Sequence, residues 1–87
     1  MVEAATDIRI PALHRYPNRG ERSGVAAYAA RRNAIAVEFT DGKIYLYSYD
    51  CPGRRHVERM KSLATDGTGL STYISRHIGK RFAARLR

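Results

Sequence analysis

The 87-residue sequence contains one cysteine, no tryptophan and only eight acidic residues. The single cysteine, Cys51, cannot form a disulfide within the chain, which excludes the usual stabilising device of small secreted domains. No apolar run approaches the ~20 residues that a transmembrane helix needs. The first ten residues carry acids and lack the apolar core of a signal peptide. We therefore expect a cytoplasmic protein with no membrane attachment.

Residues that support catalysis or metal binding are equally sparse. The acidic residues are scattered, and no paired carboxylates, Ser/His/Asp set or glycine-rich phosphate loop stands in a suitable context. His14 and His56 have no further ligand at zinc spacing, and Cys51 is interpreted as a structural residue. His77 falls on an apolar helical stripe, where we expect it to pack. The sequence predicts a protein that is not an enzyme and holds no metal or cofactor.

Positive charge dominates what is present, because sixteen Lys and Arg residues give a formal net charge of +8 at pH 7. The excess is C-terminal: residues 61–87 carry six basic residues, with Asp66 as their only acid. Thirteen of the sixteen basic residues are arginines, whose guanidinium groups suit phosphates and stack on bases. The alternative interpretation of the number of arginines is the coding bias of a GC-rich genome, which does not explain their clustering. Nucleic acid is therefore the first partner class that the charge indicates.

A β-hairpin is predicted in the middle of the chain. Ile35, Val37 and Phe39 alternate with small or acidic residues, and residues 43–49 (KIYLYSY) are rich in strand formers. Asp41-Gly42 between them is typical of a two-residue hairpin loop, which pairs Phe39 with Ile44. In that register one face carries the core residues Ile35, Val37, Phe39, Ile44 and Leu46. The second face carries Ala34, Ala36 and Glu38 opposite Tyr45, Tyr47 and Tyr49.

The flanking segments complete the predicted domain. Residues 24–30 (GVAAYAA) are interpreted as a third strand, although their alanines also suit a helix. Asp50-Cys51-Pro52 offers a helix start. A helix follows with apolar residues at helical spacing, namely Val57, Met60, Leu63 and Ala64. Residues 65–69 break the chain, and a second helix carries a stripe formed by Leu70, Tyr73, Ile74, His77, Ile78 and Phe82.

These elements predict an α+β fold, in which a small antiparallel sheet of about three strands carries two C-terminal helices on one face. We predict a flexible N-terminal tail over residues 1–22, since it holds prolines, glycine and scattered charge. The α+β domain spans residues 23–83, and residues 84–87 form a basic C-terminal end.

Several short motifs follow one another along residues 24–82. They are Val37-Glu38-Phe39, Asp41-Gly42, Tyr45-Leu46-Tyr47, Cys51-Pro52, the glycine break of residues 64–69 and the last helix of residues 73–82. In this order they resemble the KTSC domain, a short domain found alone in bacterial proteins and at the C-terminus of some lysyl-tRNA synthetases. Cys51 stands where that family usually has an aliphatic residue. The resemblance implies a domain without an established activity, for which RNA binding has been suggested from its association with a synthetase.

Two groups of residues are candidates for nucleic-acid binding. The first is the row of Tyr45, Tyr47 and Tyr49, because aromatic side chains on a sheet face stack unpaired bases. A tyrosine ladder that only covers the sheet is the alternative interpretation. The second group is basic and C-terminal, and it comprises Arg76, Lys80 and Arg81, with Arg85 and Arg87 after them. These residues suit phosphates, and the alternative is a solvated helix end whose cations favour the helix dipole. A further basic group, formed by Arg54, Arg55, Arg59 and Lys61, opens the first helix, where Arg54 and Arg55 oppose the dipole and hint at an external anion.

The sequence therefore predicts a monomeric nucleic-acid-binding module that favours single-stranded or structured RNA. Tyr45 and Tyr47 are expected to stack bases, and Arg76, Lys80 and Arg81 to hold phosphates. The alternative is a protein-interaction module or adaptor that docks a partner on the tyrosine face or on a sheet edge.

Overall fold

The computed structural model describes residues 11–17 and 24–87. Within those ranges the chain forms five strands and two helices: β1 (His14–Arg15), β2 (Val25–Arg31), β3 (Ala34–Phe39), β4 (Ile44–Ser48), α1 (Arg54–Asp66), α2 (Leu70–Tyr73) and β5 (Ala84–Arg85). A π-helical segment (Ile74–Ile78) continues α2. The α+β class predicted from sequence is confirmed, but the sheet has five strands where about three were predicted.

The sheet is antiparallel, and its strand order is β1-β2-β3-β4-β5. The three central strands are those that the alternation of side chains predicts, and the additional strands are two-residue edges. One of them lies in residues 84–87, which were predicted only as a basic end. The guanidinium group of Arg87 donates to the carboxylate of Glu38 at 2.8 Å and to the carbonyl of Gly42 at 3.1 Å. The C-terminal residues are therefore hydrogen-bonded to the β3–β4 hairpin.

Residues 11–17 are part of the folded domain, although they fall within the predicted tail. β1 pairs with β2, and the side chain of Tyr16 is only 3% exposed. The Tyr16 hydroxyl accepts a hydrogen bond from the backbone N–H of Leu70, the first residue of α2, at 3.3 Å. An aromatic ring that can fill the core outweighs the loop-like composition around it. The rest of the predicted tail, residues 1–10 and 18–22, lies outside the described residues.

The loop of the β3–β4 hairpin contains three residues rather than the predicted two. The N–H of Phe39 donates to the carbonyl of Lys43, and the N–H of Gly42 donates to the carbonyl of Phe39, both at 2.9 Å. Gly42 has a φ of 91°, the left-handed conformation that follows a turn in three-residue hairpin loops. The carboxylate of Asp41 accepts from the N–H of Lys43 at 3.0 Å and holds the turn.

The extra loop residue shifts the register by one, so that Ile35 pairs with Tyr47 and Val37 with Tyr45. Because side chains alternate along a strand, this shift exchanges the two faces of β4. The prediction that the tyrosines lie on the face opposite the core is therefore wrong. Ile44 and Leu46, which were predicted to lie in the core with Ile35, occupy the other face. That face has its own small cluster, formed by Ala29, Ala36 and Ile44 with Leu13, Leu46 and Leu86 packed against it.

The main core lies between the sheet and the helices. α1 buries three residues of the predicted stripe completely, namely Val57, Met60 and Ala64, while Leu63 is half-buried. Its C-terminus is closed by Gly67, whose N–H donates to the carbonyl of Leu63 at 2.9 Å. The core cluster consists of Tyr16, Val25, Ile35, Val37, Tyr47, Val57, Met60, Ala64, Leu70, Ile74 and Ile78.

The last helix differs from its predicted stripe at two positions, His77 and Phe82. The helical segment ends at Ile78, so Phe82 lies beyond it. Leu70, Ile74 and Ile78 are buried as expected, whereas His77 is exposed. The N–H of Gly79 donates to the carbonyl of Ile74 at 2.8 Å, so this turn is wider than an α-helical turn. Ile74 and Ile78 fill the contact with the core, which leaves His77 on the solvent side. No helix within the described ranges has the length and apolarity needed to cross a membrane.

Candidate functional site

A pocket of about 390 Å³ opens between β4, the hairpin loop and the residues after the π-helical segment. We call it the aromatic pocket, because Tyr45 contacts Phe82 with 4.5 Å between ring centroids and Phe39 with 5.9 Å. Its volume lies within the range of about 300–1,000 Å³ that is typical of ligand pockets. The pocket is lined by Phe39, Asp41, Lys43, Tyr45, Tyr47, Ile74, Gly79, Lys80 and Phe82.

The end of the π-helical segment brings Phe82 onto the sheet. Gly79 ends the segment with a φ of 60° and a ψ of −125°, a backbone conformation that side-chain-bearing residues rarely adopt. The chain then turns back, and the N–H of Ala83 donates to the carbonyl of Leu46 at 2.7 Å. This return to β4 sets the ring of Phe82 against Tyr45, with the planes at 39°. The pocket therefore depends on contacts between residues distant in the sequence.

Charged side chains surround the aromatic wall. The ammonium group of Lys43 lies 3.6 Å from the carboxylate of Asp41. The backbone N–H of Lys43 is the main reason why the pKa of Asp41 is lowered. Lys80 is exposed, and no carboxylate in the described part of the chain lies within ion-pair distance of it. The pocket therefore combines half-buried aromatic rings with one unneutralised cation.

The other two predicted tyrosines are occupied differently. Tyr47 is 2% exposed, and burial raises its pKa to about 12. The Tyr49 hydroxyl donates to the carboxylate of Glu58 at 2.6 Å, which raises the Tyr49 pKa, and the guanidinium carbon of Arg54 lies 5.9 Å from the centroid of its ring. The three tyrosines share the helix-facing side of the sheet, but they do not form an exposed row.

Glu58 also ties α1 to the turn between β2 and β3. Its carboxylate accepts from Lys61 at 2.8 Å, and the hydrogen bonds from Lys61 and Tyr49 lower the Glu58 pKa. The same ammonium group donates to the backbone carbonyls of Arg31 and Arg32, each at 2.8 Å. This network orients α1 on the sheet and occupies the Glu58 carboxylate.

A second depression, of about 680 Å³, lies between α1 and the last helix. We call it the cationic groove, and its lining is Arg55, His56, Glu58, Arg59, Tyr73 and His77. His56 Nδ1 lies 2.7 Å from the Tyr73 hydroxyl, and the Tyr73 ring packs on His77 with 4.8 Å between centroids. The pKa of His56 is lowered by burial first, and then by its electrostatic interactions with Arg81, Arg55 and His77.

The predicted basic residues do not form one surface. Lys80 reaches the aromatic pocket and Arg55 the cationic groove. The guanidinium group of Arg81 donates to the backbone carbonyls of His77 and Ile78, so it closes the C-terminal end of the last helix. Arg76 is exposed and lines neither depression.

Sequence reasoning missed part of each depression. At the aromatic pocket it missed Phe39, Lys43 and Phe82, which were assigned to the core, a strand start and the helical stripe. At the cationic groove it missed Tyr73 and both groove histidines. The four-residue spacing of Tyr73 and His77 was a signal that their rings adjoin on one helix face.

The described part of the chain contains no group of three or more His, Cys, Asp or Glu side chains that could hold a metal ion. Cys51 is a free, half-buried thiol. No family model, curated protein or solved structure matches this chain. The resemblance to the KTSC domain therefore stays a prediction from the motifs.

Proposed function

We propose that this chain is a small nucleic-acid-binding module that takes single-stranded RNA by stacking a base in the aromatic pocket. The observation that carries the proposal is the pair of Tyr45 and Phe82, whose rings stand 4.5 Å apart in a pocket bordered by lysines. The net charge of +8 supports a polyanionic partner.

The chemistry of the pocket suits an unpaired base. Stacking on an aromatic side chain contributes about 1–3 kcal/mol per base and tolerates any base, because every base has a π-face. Lys80, which has no carboxylate within ion-pair distance among the described residues, supplies a point charge for a phosphate beside the stacked nucleotide. A base within a duplex is unable to enter a pocket of this kind, which is why a single strand or an RNA loop is the proposed ligand.

The proposed site keeps two residues of the sequence-based prediction and changes their neighbours. Tyr45 and Lys80 remain ligand-contacting residues. Tyr47 becomes part of the buried wall, since its side chain is 2% exposed. Phe39 and Phe82 supply the aromatic surface for base stacking that was predicted for Tyr47 and Tyr49.

The test of stacking compares Tyr45→Leu with Tyr28→Leu, because both tyrosines are half-buried on the sheet and only Tyr45 lines the pocket. The affinity for a labelled RNA of about ten nucleotides is measured by fluorescence anisotropy. Tyr45→Leu is expected to weaken binding about 5- to 150-fold, the equivalent of one lost stacked base. Tyr28→Leu is expected to leave the affinity within about twofold, and a melting curve confirms that both variants are folded.

The test of phosphate contact uses the salt dependence between about 50 and about 200 mM. Lys80→Gln should reduce the slope of log K against log salt by about 0.7, the value for one phosphate of a single strand. Arg76→Gln removes an exposed charge outside the pocket and should leave the slope unchanged. Equal losses for the two tyrosine variants, or no RNA binding at low salt, would overturn the proposal and favour a protein-interaction module.

A further inference from the structure

We propose that the cationic groove is a phosphate-binding site, separate from the aromatic pocket. The two depressions have no lining residue in common, and the groove combines arginines, histidines and a tyrosine hydroxyl in one place. Its ligand is a phosphoryl oxyanion, supplied either by a free phosphate or by the backbone of a nucleic acid.

The first support is the convergence of positive charge. Arg55 and Arg59 stand four residues apart on α1, which sets them on one side of that helix. His77 faces them from the last helix, and Arg81 is close enough to lower the pKa of His56. Like charges brought together across a groove repel one another, and a bound anion removes that repulsion.

The second support is that the groove does not neutralise itself. Glu58 is the only acidic residue in the lining, and its carboxylate already accepts from Lys61 and Tyr49. Across residues 11–17 and 24–87, no carboxylate lies within ion-pair distance of Arg55 or Arg59. The charge balance of the groove is therefore left to an external group.

The third support is the supply of hydrogen-bond donors from both walls. Two guanidinium groups on α1 can each present a planar pair of N–H donors to phosphate oxygens. On the opposite wall the Tyr73 ring lies between the two imidazoles, 5.9 Å from that of His56 and 4.8 Å from that of His77. When His56 gains a proton, its Nδ1 donates to the Tyr73 hydroxyl and its Nε2 is left as a donor for the anion. The groove therefore matches a tetrahedral anion with several acceptor oxygens.

Proton uptake should accompany binding. The charged and titratable groups that face His56 are Arg55, Glu58 and Arg59 from α1, Tyr73 and His77 from the last helix, and Arg81 beyond it. In the free protein burial lowers the His56 pKa first, and Arg81 and Arg55 lower it further. A bound dianion opposes those cations, so the pKa of His56 rises on binding. The affinity therefore increases as the pH falls, and it decreases as the pH rises above the pKa of the bound state.

The experiment uses inorganic sulfate as the first probe, because sulfate stays a dianion from about pH 6 to about pH 8, where histidine titrates. Binding is followed by NMR shifts of the histidine rings and of the arginine side chains. The double variant Arg55→Gln with Arg59→Gln is expected to lower the affinity at least about tenfold. The control, Arg32→Gln with Arg76→Gln, removes the same charge from exposed positions outside the groove and should change the affinity less than about threefold.

The pH dependence of sulfate binding distinguishes a specific site from nonspecific attraction to a positively charged protein. The wild-type affinity for sulfate should rise several-fold, and up to about tenfold for each histidine whose pKa increases by one unit, between about pH 8 and about pH 6. In His56→Gln with His77→Gln this dependence should disappear. A pH dependence that survives in the double variant would count against the histidines as part of the site.

Two further arms identify the source of the phosphoryl group. Inorganic phosphate and the short RNA are titrated separately, and the NMR signals of the arginine and histidine side chains in the cationic groove (the groove resonances) are followed. If only inorganic phosphate shifts these signals, the ligand is a free phosphate. If the RNA shifts them as well, the ligand is a nucleic-acid backbone. The Tyr45→Leu variant should bind sulfate normally, so failure of the aromatic pocket does not affect this result. The proposal is overturned if both arginine double variants lose equal affinity, or if neither anion shifts the groove resonances.

Discussion

Replacement of Tyr16 by phenylalanine is expected to destabilise the protein, because it removes a hydrogen bond to Leu70, 54 residues further along the chain. The Tyr16 ring lies in the core, and its hydroxyl accepts from the N–H of Leu70 at 3.3 Å. That N–H belongs to the first turn of α2, where backbone donors have no acceptor within the helix. The preceding residue is Gly69, which has no side chain to serve as a cap. Tyr16 therefore supplies the capping oxygen from 54 residues away.

The size of the effect follows from the burial and the length of this bond. A buried donor left without an acceptor costs about 1–3 kcal/mol, and the long distance favours the lower end. We expect Tyr16→Phe to reduce the free energy of unfolding by about 1–1.5 kcal/mol, which lowers the Tm by about 4–10 °C in a domain of this size. Tyr16→Ala also empties the space of the ring and should cost about 3–5 kcal/mol, a large part of the total stability.

The assay combines urea denaturation with amide hydrogen exchange at Leu70. Tyr28→Phe is the matched control, because the Tyr28 hydroxyl has no hydrogen-bond partner among the residues that the structure describes. Tyr16→Phe should accelerate exchange at Leu70 selectively and Tyr28→Phe should not. A Tyr16→Phe protein with the wild-type unfolding curve and the wild-type exchange rate at Leu70 would refute the capping role.

Three further predictions concern stability. Gly42→Ala should cost about 1–2 kcal/mol, because the loop holds φ at 91° with no steric contact around it, while Gly24→Ala should melt within a few degrees of the wild type. Burial raises the Tyr47 pKa to about 12, so the unfolding free energy should be maximal below the unfolded pKa of about 10 and fall by about 2–3 kcal/mol up to pH 12. Denaturation curves of Tyr47→Phe should show no such decrease in unfolding free energy between about pH 10 and about pH 12. A variant with the same pH profile as the wild type would contradict the assignment of this pH dependence to Tyr47. The Glu58 pKa is lowered in the folded protein, so Glu58 contributes stability at pH values above its unfolded pKa that is lost on acidification. Glu58→Gln removes the ion pair with Lys61 at every pH and should therefore make the unfolding free energy depend less on pH in the acidic range.

The hairpin shows how far local pattern alone could go. β2, β3, β4 and α1 follow from alternation and helical spacing, and all four form where those patterns indicate. The register between β3 and β4 could not be predicted from these patterns, because β4 is apolar on both faces. Ile44 and Leu46 lie on one face, and Tyr45 and Tyr47 lie on the other. With no polar face to decide between them, the loop length decides, and Thr40 joins the loop instead of the strand.

The candidate sites depended on information that the sequence does not express locally. Tyr45 and Lys80 were recognised by residue type, but their partner Phe82 reaches them only because the chain turns back after Gly79. The grouping of His56 with His77 likewise results from the packing of two helices. Charge counting indicated a polyanionic partner, whereas the division of the basic residues between two depressions required the tertiary structure.

The strand order has a consequence for the way this domain assembles and opens. In the described sheet β1, β2, β3 and β4 pair in chain order, and only the pairing of β4 with β5 closes a long connection, which contains α1 and α2. The local connectivity of the first four strands favours rapid folding that spreads outward from the central hairpin. The two-residue edge strands should be the first to detach, in fluctuations much smaller than global unfolding. When β1 detaches, Tyr16 leaves the core and its hydrogen bond to the N–H of Leu70 breaks. The β1 edge of the sheet and the start of α2 should therefore exchange their amide protons as a single cooperative unit.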